Sequence, residues 1–361
     1  MVGFTLTYYI ELSSYFYIYI SEIFRMMVEE VLDKYSEIFD NRLHQYLDYK
    51  LKENGHDEFY DAMGHLTLGL GKRVRPTIAA LACEAVGGRT DEAMELALAV
   101  ELLHNASLIH DDIIDGDIKR RNIPAVHVKY GVPIAITVGD ALVGEAFYMI
   151  ATLPEVKMRR YGVSVVKELF VSFTLALKRL YSGEAQDIDF VNRFDLTEED
   201  YMDMVEKKTA ALPWLAARCG AVLGGGTTEE IEALSNFGRD FGVMFQIKDD
   251  LLGLVGEEEK LGKTVGIDIR GRKRTLYLIH ALQNASAEDK KILDEILARS
   301  FRPEDVDIER KIFDRTGSLD YCERKIRNIK DRIVADLDIL PDSNAKRLLL
   351  ELAEWAIVRE R

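Results

Sequence analysis

Apolar residues recur every three or four positions along most of this chain, the spacing of helices that bury one face. The pattern predicts helices over 28–47, 77–86, 92–109, 141–153, 163–180, 198–222, 229–254, 275–282, 286–300 and 317–335. Their ends carry the expected punctuation. Thr197, Thr227 and Ser286 each stand just before acidic residues, as helix N-caps do. Pro76, Pro133, Pro154, Pro303 and Pro341 fall where helices should start or stop. Gly87-Gly88 and Gly224-Gly225-Gly226 read as turns between helices. No sustained period-2 run, fixed repeat or Gly/Ser linker interrupts the series, so one all-α domain is the economical reading.

The first 26 residues differ. Val2 to Ile10 and Leu12 to Ile20 are apolar and aromatic, yet Glu11 and Glu22 interrupt them, and no uncharged run reaches the roughly 20 residues of a membrane span. There is no basic n-region or small-residue cleavage site. The expectation is an appended apolar segment over 1–26, with peripheral membrane contact as an option, and a single domain over 27–361. No transmembrane span is expected.

With 47 basic and 62 acidic residues the net charge is −15. Such a chain lacks the basic footprint that nucleic acid demands. Local basic clusters inside it suggest small anionic ligands instead. Cys83, Cys219 and Cys322 are isolated and without CxxC spacing, as in buried reduced thiols of a cytoplasmic protein.

The chemistry concentrates in Asp111-Asp112-Ile113-Ile114-Asp115, which ends an unbroken apolar run from Ala99. On a helix, Asp111 and Asp115 lie one turn apart, about 5–6 Å between Cβ atoms. Like charges so placed disfavour the helix unless a cation intervenes, and oxygen ligands on a helix suit Mg²⁺ bridging to substrate phosphates. Cationic residues flank the motif: Arg120-Arg121 follow it, and Gly71-Lys72-Arg73-Val74-Arg75-Pro76 precede it. Guanidinium groups match phosphate oxygens bidentately. A second acidic pair, Asp249-Asp250, comes late, and Gly71-Lys72 lacks the residues of a P-loop.

In this order the pieces resemble the trans-isoprenyl diphosphate synthases, the polyprenyl synthetase family that includes geranylgeranyl diphosphate synthases. The likeness rests on GKRVRP from Gly71, ELLHNASLIHDDIID from Glu101 and RRNIPAVH from Arg120. It continues through VGDALVG from Val138, Lys208-Thr209, FQIKDD from Phe245 and LGKTVGIDIRGRKRTL from Leu261. The resemblance implies an all-α bundle around a central cavity, the isoprenoid synthase fold, and usually a homodimer. It implies that isopentenyl diphosphate is held by Lys72, Arg75, His104 and Arg121. An allylic diphosphate would sit on Mg²⁺, three ions with substrate bound, ligated by Asp111 and Asp115 on one side and Asp249 on the other. Arg120, Lys208, Thr209, Gln246 and Lys263 would contact its oxygens. The catalytic set is then Asp111, Asp115, Lys208 and Asp249, with no protein nucleophile.

Two departures stand out. The second motif reads Asp249-Asp250-Leu251-Leu252-Gly253, without the final Asp of many relatives, and Gln186-Asp187 stands where relatives often have Gly-Gln followed by Asp. Ahead of the first motif, Ser107 and Leu103 lie one and two turns below Asp111, with Ala106 beside them. Ala106 and Ser107 are small, where a Phe or Tyr would add roughly 150–250 Å² of buried ring and stop chain growth early. A product of C20 or longer is expected. Competing readings are a terpene cyclase, which needs no isopentenyl diphosphate site, and a catalytically silent partner subunit.

Overall fold

A computed structural model describes residues 2–54, 58–69, 71–153, 155–255 and 267–359. In chain order the helices are α1 (Val2–Asn54), α2 (Glu58–Thr67), α3 (Val74–Ala85), α4 (Met94–Asp115), α5 (Val126–Tyr130), α6 (Val132–Ala151), α7 (Glu155–Phe190), α8 (Glu198–Lys208) and α9 (Ala211–Gly224). They continue as α10 (Thr228–Val255), α11 (Ile267–Arg270), α12 (Leu276–Asn284), α13 (Ala287–Ala298), α14 (Asp305–Arg315), α15 (Ser318–Leu337) and α16 (Asn344–Val358). Among the described residues the only strands are β1 (Lys119–Arg120) and β2 (Ile123–Pro124), a two-residue antiparallel hairpin. The all-α reading holds.

Helix α9 lies at the centre, packed between α3 and α10, with α7 and α4 also against it. Nearly every residue of α9 is buried, because Arg218 is its one charged residue, and that guanidinium reaches Glu168 of α7 at 3.1 Å. Close approach needs glycine there: a Cβ at Gly220 would meet the Ala79 carbonyl oxygen at 2.3 Å. Helix α4 runs between α3 and α6, while α15 and α16 close over α10. The three caps are present: Thr197 and Asp200 form a capping box, Thr227 pairs with Glu230, and Ser286 accepts from the Asp289 N–H. The three cysteines are free and buried.

The helix expected over 198–222 divides in two. The Ala210 N–H reaches the Val205 oxygen at 3.1 Å, widening the last turn of α8, and Pro213 then fits the first turn of α9, where no N–H is required. Helices α2, α5, α11, α14 and α16 lie outside the predicted windows. Helix α1 passes through Met26 without a break, so the expected boundary falls inside one helix. By length and composition α6 could cross a bilayer, but Ala135, Val138, Leu142, Ala146 and Ile150 bury one face of it in the bundle.

Candidate active site

The first acidic motif occupies the last turns of α4, which stops at Gly116 in the left-handed region (φ 70°). The three carboxylates part company there. Asp112 turns inward and is bonded by the Arg120 guanidinium, Nε at 2.7 Å. Asp111 and Asp115 face a crevice. Lys208 Nζ lies 3.3 Å from Asp111 Oδ1, and Lys273 Nζ 3.1 Å from Asp115 Oδ1. Between the lysines sits buried Asp187 of α7, 2.7 Å from Lys208 and 2.9 Å from Lys273, with Glu184 2.8 Å from Lys208. Burial alone would push both ammonium groups toward neutrality. The surrounding carboxylates outweigh it and hold them above the ordinary lysine value. The same lysines hold Asp187 below the ordinary carboxylate range against its burial. Glycine makes the approach possible: a Cβ at Gly183 of α7 would lie 2.3 Å from the Lys208 backbone nitrogen.

The second acidic pair sits on α10, and its members also differ. Asp250 is buried and accepts from Tyr201 Oη and from Gln246 Nε2, each at 2.7 Å. Gln246 Oε1 in turn accepts from Thr209 Oγ1 at 2.7 Å. The end of α8 therefore grips both acidic helices, Lys208 toward Asp111 and Thr209 toward Gln246. Asp249 is half exposed and bonded by Arg359 at 3.2 Å. The Arg359 guanidinium also donates to the Phe245 carbonyl at 3.1 Å and stacks 3.6 Å over the Phe245 ring.

Beside this wall opens a cavity of about 240 Å³ lined by Lys72, Arg75, Glu101, His104, Arg121 and Arg359, among others. Its shape follows from Arg73, which adopts a left-handed conformation at φ 46°, a strain of about 1–3 kcal/mol for a residue with a side chain. That turn drives the Arg73 side chain into the core, onto Glu101 at 2.6 Å, Asp40 at 2.7 Å, and the Thr67 and Gly69 carbonyls at 2.9 Å. Charge-assisted bonds contribute about 1.5–3 kcal/mol each and offset the strain. Lys72 and Arg75 are thereby left facing the cavity. Arg121 and Asn122 both have positive φ (51° and 64°), the two-residue turn between β1 and β2. Arg121 thus points away from Arg120 and comes within 3.9 Å of Glu101. Arg75 Nη1 is 3.1 Å from His104 Nε2. Burial first, then the arginines, hold the imidazole well below its ordinary pKa, so it is neutral and accepts from Arg75. Burial also brings Arg75 down to about 10.

Comparison with known proteins decides the family. The polyprenyl synthetase family model matches residues 56–314. The short chain isoprenyl diphosphate synthase of Methanothermobacter thermautotrophicus is 40% identical over 340 residues, 93% of this chain and 99% of that protein. The chain belongs to the polyprenyl synthetase family. The geranylgeranyl pyrophosphate synthetase structure from Pyrococcus horikoshii Ot3 superposes with TM-score 0.83 at 34% identity, covering 93% of this chain and 99% of the other. A geranylgeranyl pyrophosphate synthase from Corynebacterium glutamicum, crystallised with isoprenyl diphosphate and magnesium, gives TM-score 0.80 at 27% identity over 91% of this chain and 99% of that one.

In this polyprenyl synthetase the four residues expected at one diphosphate, Lys72, Arg75, His104 and Arg121, converge on the cavity. Lys72 also lies 3.5 Å from Glu29 and 4.8 Å from the Trp355 ring centroid. Lys208 meets the first acidic wall, and Thr209 and Gln246 the second. Arg120 binds Asp112 of the first motif and Asp117 just beyond it. Lys263 lies outside the described residues. Leu103 and Ala106 are buried, and half-buried Ser107 donates to the His104 carbonyl at 2.8 Å. Lys273, Arg359 and Glu101 were not anticipated. Lys273 stands inside the quoted LGKTVGIDIRGRKRTL segment, whereas nothing local marks Arg359, which reaches the site only through the packing of α16.

The side chains fit a hard divalent cation. Asp111, Asp115 and Asp249 offer oxygen donors only, and Asp111 Oδ1 and Asp112 Oδ2 are buried oxygens with no hydrogen bond among the described residues. Each of the three expected ligands faces a lysine or arginine. Such a set suits Mg²⁺, which takes one or two carboxylates and fills its octahedron with water and substrate oxygens.

Proposed function

We propose that this enzyme condenses isopentenyl diphosphate with an allylic diphosphate to give a trans-polyprenyl diphosphate of C20 or longer. The observation that carries the reading is the pairing of a cation-lined cavity with an acidic crevice, joined by α4 and α10. Lys72, Arg75, His104 and Arg121, with Arg359, bind the homoallylic diphosphate. Lys208, Lys273, Thr209 and Gln246 orient the allylic diphosphate between Asp111 and Asp115 on one wall and Asp249 on the other, with Arg120 holding Asp112 behind it. Mg²⁺ bound there supplies Lewis-acid stabilisation of the leaving group. As the allylic C–O bond breaks, negative charge grows on the departing diphosphate, where Lys208 and Lys273 already point. The isopentenyl double bond then attacks the allylic carbon, a C–C bond forms, and a proton is lost to the released diphosphate. Small Ala106 beneath the motif, and Ser107 beside it, leave room for a growing chain.

Val132, Ile136, Tyr148 and Val171 on α6 and α7 are exposed and offer apolar surface for a second copy of the chain, as in a homodimer. The test is incubation of the purified chain with Mg²⁺, labelled isopentenyl diphosphate and geranyl or farnesyl diphosphate. Elongated labelled product of at least C20 is the expected result. Cyclic hydrocarbon from the allylic substrate alone would make it a cyclase. No product until a homologous subunit is added would make it a silent partner.

A further inference from the structure

Three basic residues in a row, Arg272, Lys273 and Arg274, lie between α11 and α12, and each has a different task. Helix α11 ends in a turn with Arg272 in the left-handed region (φ 54°). The Arg272 N–H reaches the Ile269 carbonyl at 3.1 Å and the Lys273 N–H the Asp268 carbonyl at 2.9 Å, the two bonds of a Schellman end. Glycine would hold that conformation without strain, yet Gly271 stands one position too early. The Arg272 guanidinium donates to the Arg299 carbonyl beyond α13. Lys273 leaves the turn toward the crevice, onto Asp115 and Asp187.

Arg274 is buried and goes elsewhere. Its Nε donates to the Arg193 carbonyl at 2.8 Å and its Nη2 to the Val191 carbonyl at 3.0 Å, and the guanidinium lies 5.1 Å from the Phe194 ring centroid. Val191 and Arg193 directly follow α7, which ends at Phe190, so the cation sits where a helix C-terminus favours one. Burial first, then the Arg272 charge, pull this guanidinium below its ordinary value, and buried Glu309 of α14 offsets part of that. Asp187, the partner of Lys273, stands four residues before Val191 on the same helix. Consecutive residues thus grip one helix end at two levels, Lys273 by a side chain and Arg274 by the backbone. Backbone carbonyls cannot swing away as a carboxylate can, so the fork at Arg274 fixes the distance across which Lys273 reaches.

We propose that Arg274 is a positioning residue: by fastening the end of α7 to the stretch that carries Lys273, it holds the Lys273 ammonium between Asp115 and Asp187, where the allylic diphosphate departs. The assignment rests on the reading of the crevice as the allylic site, and it deepens that reading.

The test is a double-variant cycle on the full chain, read in elongation kinetics with Mg²⁺, labelled isopentenyl diphosphate and geranyl diphosphate. Arg274→Met should lower kcat by about 10–100-fold, the usual cost of losing a group that orients a ligand, and change KM for isopentenyl diphosphate by less than about twofold. In a Lys273→Met background the same substitution should cost less than about twofold more, since the residue it positions is gone. Equal losses in both backgrounds, or an unchanged kcat, would mean that Arg274 only supports the fold, and either result overturns the proposal. Should Arg274→Met not fold, Arg274→Lys keeps the buried charge, gives up the fork and enters the same cycle with the same two outcomes. The cycle is repeated without turnover, as the inorganic pyrophosphate concentration that half-protects the chain against thermal unfolding in Mg²⁺. A wild type that is protected by pyrophosphate but elongates no primer would sink the proposed function, and the protection cycle would still decide Arg274. A wild type that is neither protected nor active overturns both.

Discussion

The cavity and the crevice lie side by side yet balance charge in opposite senses. Lys72, Arg73, Arg75, Arg121 and Arg359 line the cavity against one carboxylate, Glu101, and its histidine is neutral. The crevice sets Asp111, Asp115, Glu184 and Asp187 around two lysines, Lys208 and Lys273. A bare diphosphate is attracted to the first and repelled from the second unless a cation comes with it. Under the proposed function, two substrates with the same head group would therefore be sorted by whether they carry metal. The sorting is built from charge excess, with no need for a difference in shape.

Four experiments break or sharpen that contrast, in falling order of effect. Glu101→Ala should cost about 3–5 kcal/mol of stability in urea unfolding, because it removes the buried carboxylate from fully buried Arg73 and leaves it only partly exposed Asp40; a tolerated substitution would mean the cavity does not depend on Glu101. Asp111→Asn should lower kcat by roughly 10²–10³-fold, with isopentenyl diphosphate binding in EDTA unchanged; a parallel loss of that binding would erase the distinction between the sites. Arg75→Met should weaken the same metal-free binding by about 10–100-fold, as expected for one charged hydrogen bond, and leave kcat nearly unaltered. The smallest effect is in pH. His104 in the folded chain titrates well below its ordinary value of 6.5, so under pH 6.5 the unfolded chain binds a proton that the folded chain does not. Stability is then fully present above that pH and falls as pH drops, by at most about 1.4 kcal/mol per pH unit. Comparison of urea midpoints from pH 7 to 5 should show that slope in the wild type and its reduction in His104→Gln.

Much of this was legible in the chain. Helical spacing placed Asp111 and Asp115 on one face, and the flanking cations marked residues that line the cavity. What escaped was set by tertiary contact. Arg73 stands among equivalent-looking cations at 72 and 75, and only its left-handed backbone sends it inward. Lys273 is one of several basic residues in its segment, and its packing against Asp187 brings it to the crevice. Arg359 follows α16 without any local signature. The break at Thr209 was foreshadowed by Pro213, but continuous apolar spacing across it masked the signal. Asp250 looked like a twin of Asp249 until Tyr201 and Gln246 claimed it.

The two-residue hairpin has a consequence for how the substrates are addressed. Arg120 ends β1 and Arg121 opens the turn, so neighbours in the chain are sent to opposite destinations, one to the acidic motif and one to the cavity. Arg120 keeps the extended backbone of β1 while Arg121 is left-handed at φ 51°, so the turn itself sends the two guanidiniums apart. Moving that turn by a single residue along the chain would take both guanidiniums off their destinations without altering either arginine.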